Sequence, residues 1–231
     1  MALFWCEHRH YHFRLCGLEF DGFVRYFRHE VDEMYKTAVE VTTLANKYEF
    51  SDNIYLGEMQ TGWCLAKMGR IDDGLMMIIR GLENCLKAQI YSEMTLYYGM
   101  LAEVYFLAGS IQDALASLTK GLTLANSNGE HFWAAELHRL VGEYHSARGD
   151  SPITIERHFQ QALSISKRQE AKSLELRAAT SMAKFLKLQD RSAEAIHLLE
   201  PIYAGFTEGF DTHDLSDAKA LLVALATAVR S

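Results

Sequence analysis

Apolar residues recur along this chain with a helical period, in runs separated by short polar breaks. Leu115, Leu118 and Leu122 fall on one side of a 3.6-residue helix, and Leu174, Leu176, Met182, Phe185 and Leu186 mark another such run. Spacing of three and four residues predicts helices rather than strands. A longer repeat is laid over this one. The segments "GWCLAKMGRIDDGLMMIIRGL" from Gly62, "AEVYFLAGSIQDALASLTKGL" from Ala102, "GEYHSARGDSPITIERHFQQAL" from Gly142 and "AKFLKLQDRSAEAIHLLEPIY" from Ala183 align with one another. Each has a small residue and, seven positions later, a loop residue: Gly69, Gly109, Gly149 and Asp190, at intervals of 40, 40 and 41. A second column holds Gly74, Ala114, Ile155 and Ala195, and a third Gly81, Gly121, Ala162 and Ile202. Forty residues before Gly81 stands Val41, inside "VDEMYKTAVEVTTLANKYEF", so a partial unit is expected at the N-terminal side.

Each unit reads as two helices. The first ends at the loop residue, which suits the left-handed conformation of a helix C-terminus. The second opens on polar residues such as "IDD", "IQD" and "SAE", and Ser151 with Pro152 forms a cap followed by a first-turn proline. Asp72 and Asp73 then serve the positive end of a helix. No such hairpin can bury its apolar face alone, so neighbours must stack. The expected organisation is an irregular tail over 1–16, then a repeat domain over 17–231. That domain divides into a partial repeat 17–50, repeats 51–90, 91–129, 130–169 and 170–210, and a capping helix 211–231. In the last of these, Leu215, Ala218, Leu221, Leu222 and Leu225 share a face, and "FTEGFDTHDL" supplies the turn that leads into it.

The small residue, loop and small residue of each unit resemble the tetratricopeptide repeat, with both helices lengthened. That resemblance implies an all-α, tetratricopeptide-like α-solenoid of helical hairpins with a period of about 40 and a C-terminal capping helix. A narrower resemblance is carried by "AAELHRLVGEYHSARGD", "HFQQALSISKRQEAKSLELRAATSMAKF" and "LLEPIYAGFTEGFDTHDLSDAKALL". These look like the C-terminal repeat region of bacterial multidomain adenylate/guanylate cyclase–signal-transduction ATPase proteins. The chain itself has no GxxxxGK[ST] phosphate loop, so the family's nucleotide chemistry cannot be placed on any residue here.

Composition narrows the function. The chain has 231 residues, 49% hydrophobic and 23% charged, with two prolines and a net charge of −7. There is no basic block of the kind that follows nucleic acid or anionic membrane. The longest apolar run, "ALLVALATAV", is about half of what a bilayer requires. Four cysteines without a CxxC pair suit reduced thiols and a cytoplasmic location. Neither GxSxG, GxGxxG nor HExxH occurs. His131, His138 and His145 repeat every seven residues, but successive members lie roughly 10 Å apart along a helix, too far for one ion. Cys6, His8, His10, His12 and Cys16 have ligand chemistry but no recognised zinc spacing. The chain is therefore expected to be no enzyme, with no catalytic residue, no metal and no cofactor.

What remains is binding. In tetratricopeptide-like arrays the first helix of each pair lines the concave face. Helical offsets from each small residue select Met59, Trp63 and Lys67, then Glu103 and Phe106, then Glu136, Arg139 and Glu143, then Arg177, Lys184 and Lys187. This groove is apolar and aromatic in its first half and charged with both signs in its second; the alternative for Trp63 and Phe106 is that they fill the core between repeats. It is expected to take a protein or peptide partner, with cyclase or ATPase domains as one option. The alternatives are a regulatory tail in a cyclase or ATPase complex, and a small-molecule sensor using the same groove.

Overall fold

The computed structural model describes the backbone over residues 2–230 and side chains over 11–229. The described chain is all-helical, with no strand. In order the helices are α1 (Ala2–Arg28), α2 (Val31–Tyr48), α3 (Ser51–Lys67), α4 (Ile71–Lys87), α5 (Met94–Leu107) and α6 (Ile111–Asn128). They continue with α7 (Ala134–Arg148), α8 (Pro152–Arg168), α9 (Lys172–Leu188), α10 (Ser192–Ala204) and α11 (His213–Arg230). The expected tetratricopeptide-like arrangement of successive helical pairs is present, and α11 follows the last pair. The chain forms two compact units, 1–114 and 115–231.

The segment 1–16, expected to be irregular, is helical from Ala2 onward. Its described part has a reason to be. Leu15 is fully buried in a cluster with Val41 and Ala45 of α2, and Tyr11 stacks on Tyr48 with ring centroids 3.9 Å apart. The N-terminal unit is therefore a complete hairpin, α1 with α2, where a partial one was expected. The ligand-type side chains at Cys6, His8 and His10 lie outside the described residues.

The loop residues behave as their spacing requires. Gly69, Gly109 and Gly149 have φ of +93°, +77° and +79°, and Asp190 has +57°. Each ends a first helix with the same pair of backbone bonds. At α3, Gly69 N donates to Ala66 O at 3.0 Å and Arg70 N donates to Leu65 O at 2.9 Å. At α9 the partners are Asp190 N to Leu186's neighbour Lys187 O at 3.2 Å and Arg191 N to Leu186 O at 3.0 Å. This double closure satisfies carbonyls that a helix end would otherwise leave open.

Within the first unit α3 packs on both α2 and α4, and within the second α9 packs on both α8 and α10. The first helices also touch one another: α1 with α3, α3 with α5, α7 with α9, and α9 with α11. Small columns make the hairpins tight. A Cβ at Gly62 would lie 2.8 Å from the carbonyl oxygen of Gly74, and a Cβ at Gly74 would overlap the carbonyl oxygen of Gly62. The obstacle is backbone, which cannot swing aside. Gly74→Ala should therefore destabilise the first unit by about 1–3 kcal/mol despite alanine's better helix propensity. A denaturant melt of the variant that matched wild type would contradict this packing.

Candidate functional site: the face of the first helices

The offsets that selected the groove pick out residues on the first helices α3, α5, α7 and α9, but not all of them reach solvent. Met59 is fully buried, and a Cβ on Gly81 of α4 would overlap its side chain. Trp63 is 1% exposed, with its ring 5.0 Å from that of Tyr26 of α1 at an edge-on angle. Both expected anchors are therefore interior. Lys67 extends from Trp63, its ammonium 5.0 Å from the indole centroid, and pairs with Glu103 at 2.7 Å. Glu103 also accepts a hydrogen bond from the Tyr26 hydroxyl. Phe106, one turn further along α5, is 37% exposed.

Deeper in the same unit lies a polar layer with no counterpart among the expected site residues. Glu19 of α1 is buried and accepts a hydrogen bond from Asn53 Nδ2 at 2.7 Å. Gln60 Nε2 donates to the backbone oxygen of Glu19 at 3.5 Å and to the Tyr97 hydroxyl at 3.4 Å. Burial pushes the Glu19 carboxyl up to about 7, with Asp52 adding to the rise and the Asn53 bond opposing it. The folded state thus keeps a proton that the unfolded chain releases near 4.5. The protonated form's stability is fully present below pH 4.5 and is lost as the pH rises to about 7. Glu19→Gln keeps an acceptor for Asn53 and removes this titration. At pH 8 the variant should be more stable than wild type by about 3 kcal/mol, with the advantage vanishing near pH 4.5. Parallel stability curves for the two proteins across that range would show that Glu19 is not held neutral.

In the second unit the expected charges converge. Glu136 of α7 is 2% exposed, and two guanidiniums clamp it. Arg139 reaches it at 2.9 and 2.6 Å, and Arg177 of α9 at 3.2 and 2.8 Å. Burial alone would raise the Glu136 carboxyl, but Arg139 and Arg177 outweigh it and hold the group well below the usual carboxylate range. Glu143 pairs with Arg139 at 2.6 Å, and Ser181 donates to Glu143 at 2.7 Å. On α11, Asp214 lies 3.4 Å from Arg177 and Asp217 lies 2.7 Å from Lys184. Lys184 and Lys187 are exposed at the end of α9. The network therefore has a buried floor of Glu136, Arg139 and Arg177 beneath more accessible charges.

Sequence reasoning missed Tyr26, Ser181, Asp214 and Asp217 as partners of this face. The two aspartates carried only the signal of a helix N-terminus. It also missed His158, whose Nδ1 lies 3.1 Å from Nδ1 of His138 where α8 meets α7. His138 and His145 thus share a neighbour from another helix, which a seven-residue spacing cannot show, while His131 lies in the turn before α7 and not on the helix with them. Cys64 and Cys85 are buried free thiols, pushed up by burial to about 12 and about 11.

No family model matches the chain. An uncharacterized protein of Rhizobium meliloti (strain 1021) is 21% identical over 173 residues, which is 75% of this chain but only 17% of that relative's length. Solved structures share the fold at low identity. BtubC (BKLC) from P. vanneervenii has a TM-score of 0.71 at 15% identity, covering 86% of this chain and 84% of its own. A Rap protein complexed with Competence and Sporulation Factor has a TM-score of 0.62 at 12% identity, covering 94% of this chain and 66% of its own. A kinesin light chain-type protein from Podosopora anserina, with nearly identical TPR-like repeats, has a TM-score of 0.57 at 16% identity, covering 83% and 93%. The fold is that of the tetratricopeptide-like repeat proteins.

Proposed function

We propose that this chain is a non-catalytic interaction and regulatory module that holds a protein or peptide partner against the face of its first helices, in the cytoplasm. The observation that carries this is the two-level arrangement on α7, α9 and α11. A buried Glu136–Arg139–Arg177 floor holds Glu143 through Arg139 and Asp214 through Arg177, and beside it the more exposed Lys184 of α9 pairs with Asp217 of α11. Charges fixed before binding set register and discriminate between partners, at little ordering cost. The Rap protein that shares the fold was solved in a complex, which fits a binding role for such repeats. The residues proposed to meet a partner are the accessible ones of each unit: Lys67, Glu103 and Phe106 in the first, and Glu143, Lys184 and Lys187 in the second.

The test uses the exposed members. Lys184→Glu with Lys187→Glu should lose at least tenfold in affinity for a partner captured from the source organism, while the melting temperature stays within a few degrees. A control, Val223→Asp on the exposed side of α11, should bind normally. Equal capture by all three proteins would remove the first-helix face from consideration.

A second reading makes the chain a regulatory tail of a nucleotide cyclase or ATPase system in bacterial signalling. Its support is the family resemblance of the last ninety or so residues and the long Rhizobium relative, in which the matching segment is 17% of the whole. A cyclase or ATPase reading frame joined to or beside this one in the genome would favour it, and an unrelated neighbourhood would count against it.

A further inference from the structure

We propose that the second unit carries a binding site for a small apolar monoanion, such as a medium-chain monocarboxylate, in a cavity walled by α6, α7 and α8. The cavity measures about 400 Å³. That is room for a molecule of roughly ten non-hydrogen atoms, given about 30 Å³ for one water in the liquid. It is walled mainly by two second helices, so it stands apart from the face proposed for partner docking.

Its lining divides in two. Leu122 and Ala125 of α6, Ala134 of α7 and Ile165 of α8 make the apolar part. Asn126, His131, His138 and Arg168 make the polar part. Among the described residues no carboxylate lines it, which is a local exception in a chain of net charge −7. Arg168 supplies a permanent positive charge and a planar set of donors suited to a carboxylate. His138 has its Nδ1 against Nδ1 of His158 at 3.1 Å, so one of these nitrogens donates and the other accepts. When His138 Nδ1 accepts, its Nε2 carries the proton and is a donor. Burial disfavours the charged form of His138. The site therefore offers Arg168 as a full cation with the Asn126 amide and the His138 imidazole as neutral donors, which balances a monoanion better than a phosphate dianion. The apolar half takes the hydrocarbon body, the usual division of labour in small-molecule sites.

Calorimetric titration of the full chain with octanoate, and with 1-octanol as the uncharged counterpart, tests the site. Octanoate should bind at one site per chain, at least tenfold more tightly than octanol. Arg168→Gln should weaken octanoate at least tenfold and leave octanol unchanged, while Arg168→Lys should recover most of the loss. Arg168 is exposed, so neither change threatens the fold. Octanoate should also shift the imidazole nitrogen resonances of His131 and His138 but not that of His197. Failure of octanoate to saturate, equal binding of acid and alcohol, or indifference to Arg168→Gln would each overturn the proposal.

Discussion

Glu136→Ala should be the most damaging single substitution in the second unit, costing about 3–5 kcal/mol. The reason is what it leaves behind. Arg139 and Arg177 are 8% and 9% exposed, and both direct two nitrogens at the carboxylate that would be lost. Glu143 still faces Arg139 and Asp214 still faces Arg177, both from the more exposed side. Arg177→Leu should cost less, because Glu136 keeps its bidentate bond to Arg139. Replacing all three by Leu, Met and Leu should recover much of the loss, since an apolar trio of similar volume avoids the desolvation of buried charge. Guanidinium melts of the three variants give the order directly. If Glu136→Ala were milder than Arg177→Leu, the carboxylate would not be the hub. The pH dependence has a definite sign. Glu136 is held below its ordinary range, so its contribution is complete above about pH 4.5 and fades as the pH falls.

That ordering bears on function. If the network contributed only stability, an apolar substitute would serve as well. The triple variant separates the two roles: it should restore folding while loosening Glu143, which loses its ion pair with Arg139 and keeps the Ser181 hydroxyl. Partner affinity should then fall in a protein whose melting behaviour is near normal. Charge at a fixed position, rather than charge alone, is what a docking face contributes to specificity.

Much of the fold could be read from local pattern because its determinants are local. A residue that tolerates positive φ must stand at each helix end, and Gly69, Gly109, Gly149 and Asp190 do. Two helices that approach backbone to backbone need small residues, hence Gly62 against Gly74. The helix over the stretch read as a tail was less visible. Its described buried positions, Leu15, Glu19, Phe23 and Tyr26, have helical spacing, but exposed Phe13 and Phe20 and a buried glutamate blur the stripe. Local pattern could not pair Tyr26 of α1 with Trp63 of α3, so the indole could be read either as a groove anchor or as core, and it is core. In the second unit the offsets found Glu136, Arg139 and Arg177, since helical geometry puts them on one side. They could not show which charges are buried, because that depends on α11 and on side-chain length.

Removing α11 by truncation before Asp211 should leave the second unit aggregated or partly unfolded. Leu215, Ala218, Leu221 and Leu225 are buried on one side of α11 against Leu176, Ala183 and Leu199 of α9 and α10, with Leu222 packed at the edge. At about 1.5–3 kcal/mol for each buried leucine, the three leucines alone contribute roughly 5–9 kcal/mol. That is the size of a whole domain's stability. The turn before α11 aims it: Gly209 takes a φ of +75°, Thr212 Oγ1 donates to Gly209 O at 2.7 Å, and Phe206 packs on the same core. The opposite side of α11, with Val223 63% exposed, has no such role. Leu225→Asp, which puts a charge in the centre of the buried side, should reproduce most of the defect in a full-length chain, and Val223→Asp should not. Light scattering and thermal melts of the three proteins decide the matter. A truncated chain that stayed monomeric and melted with wild type would show that the repeats close without this helix.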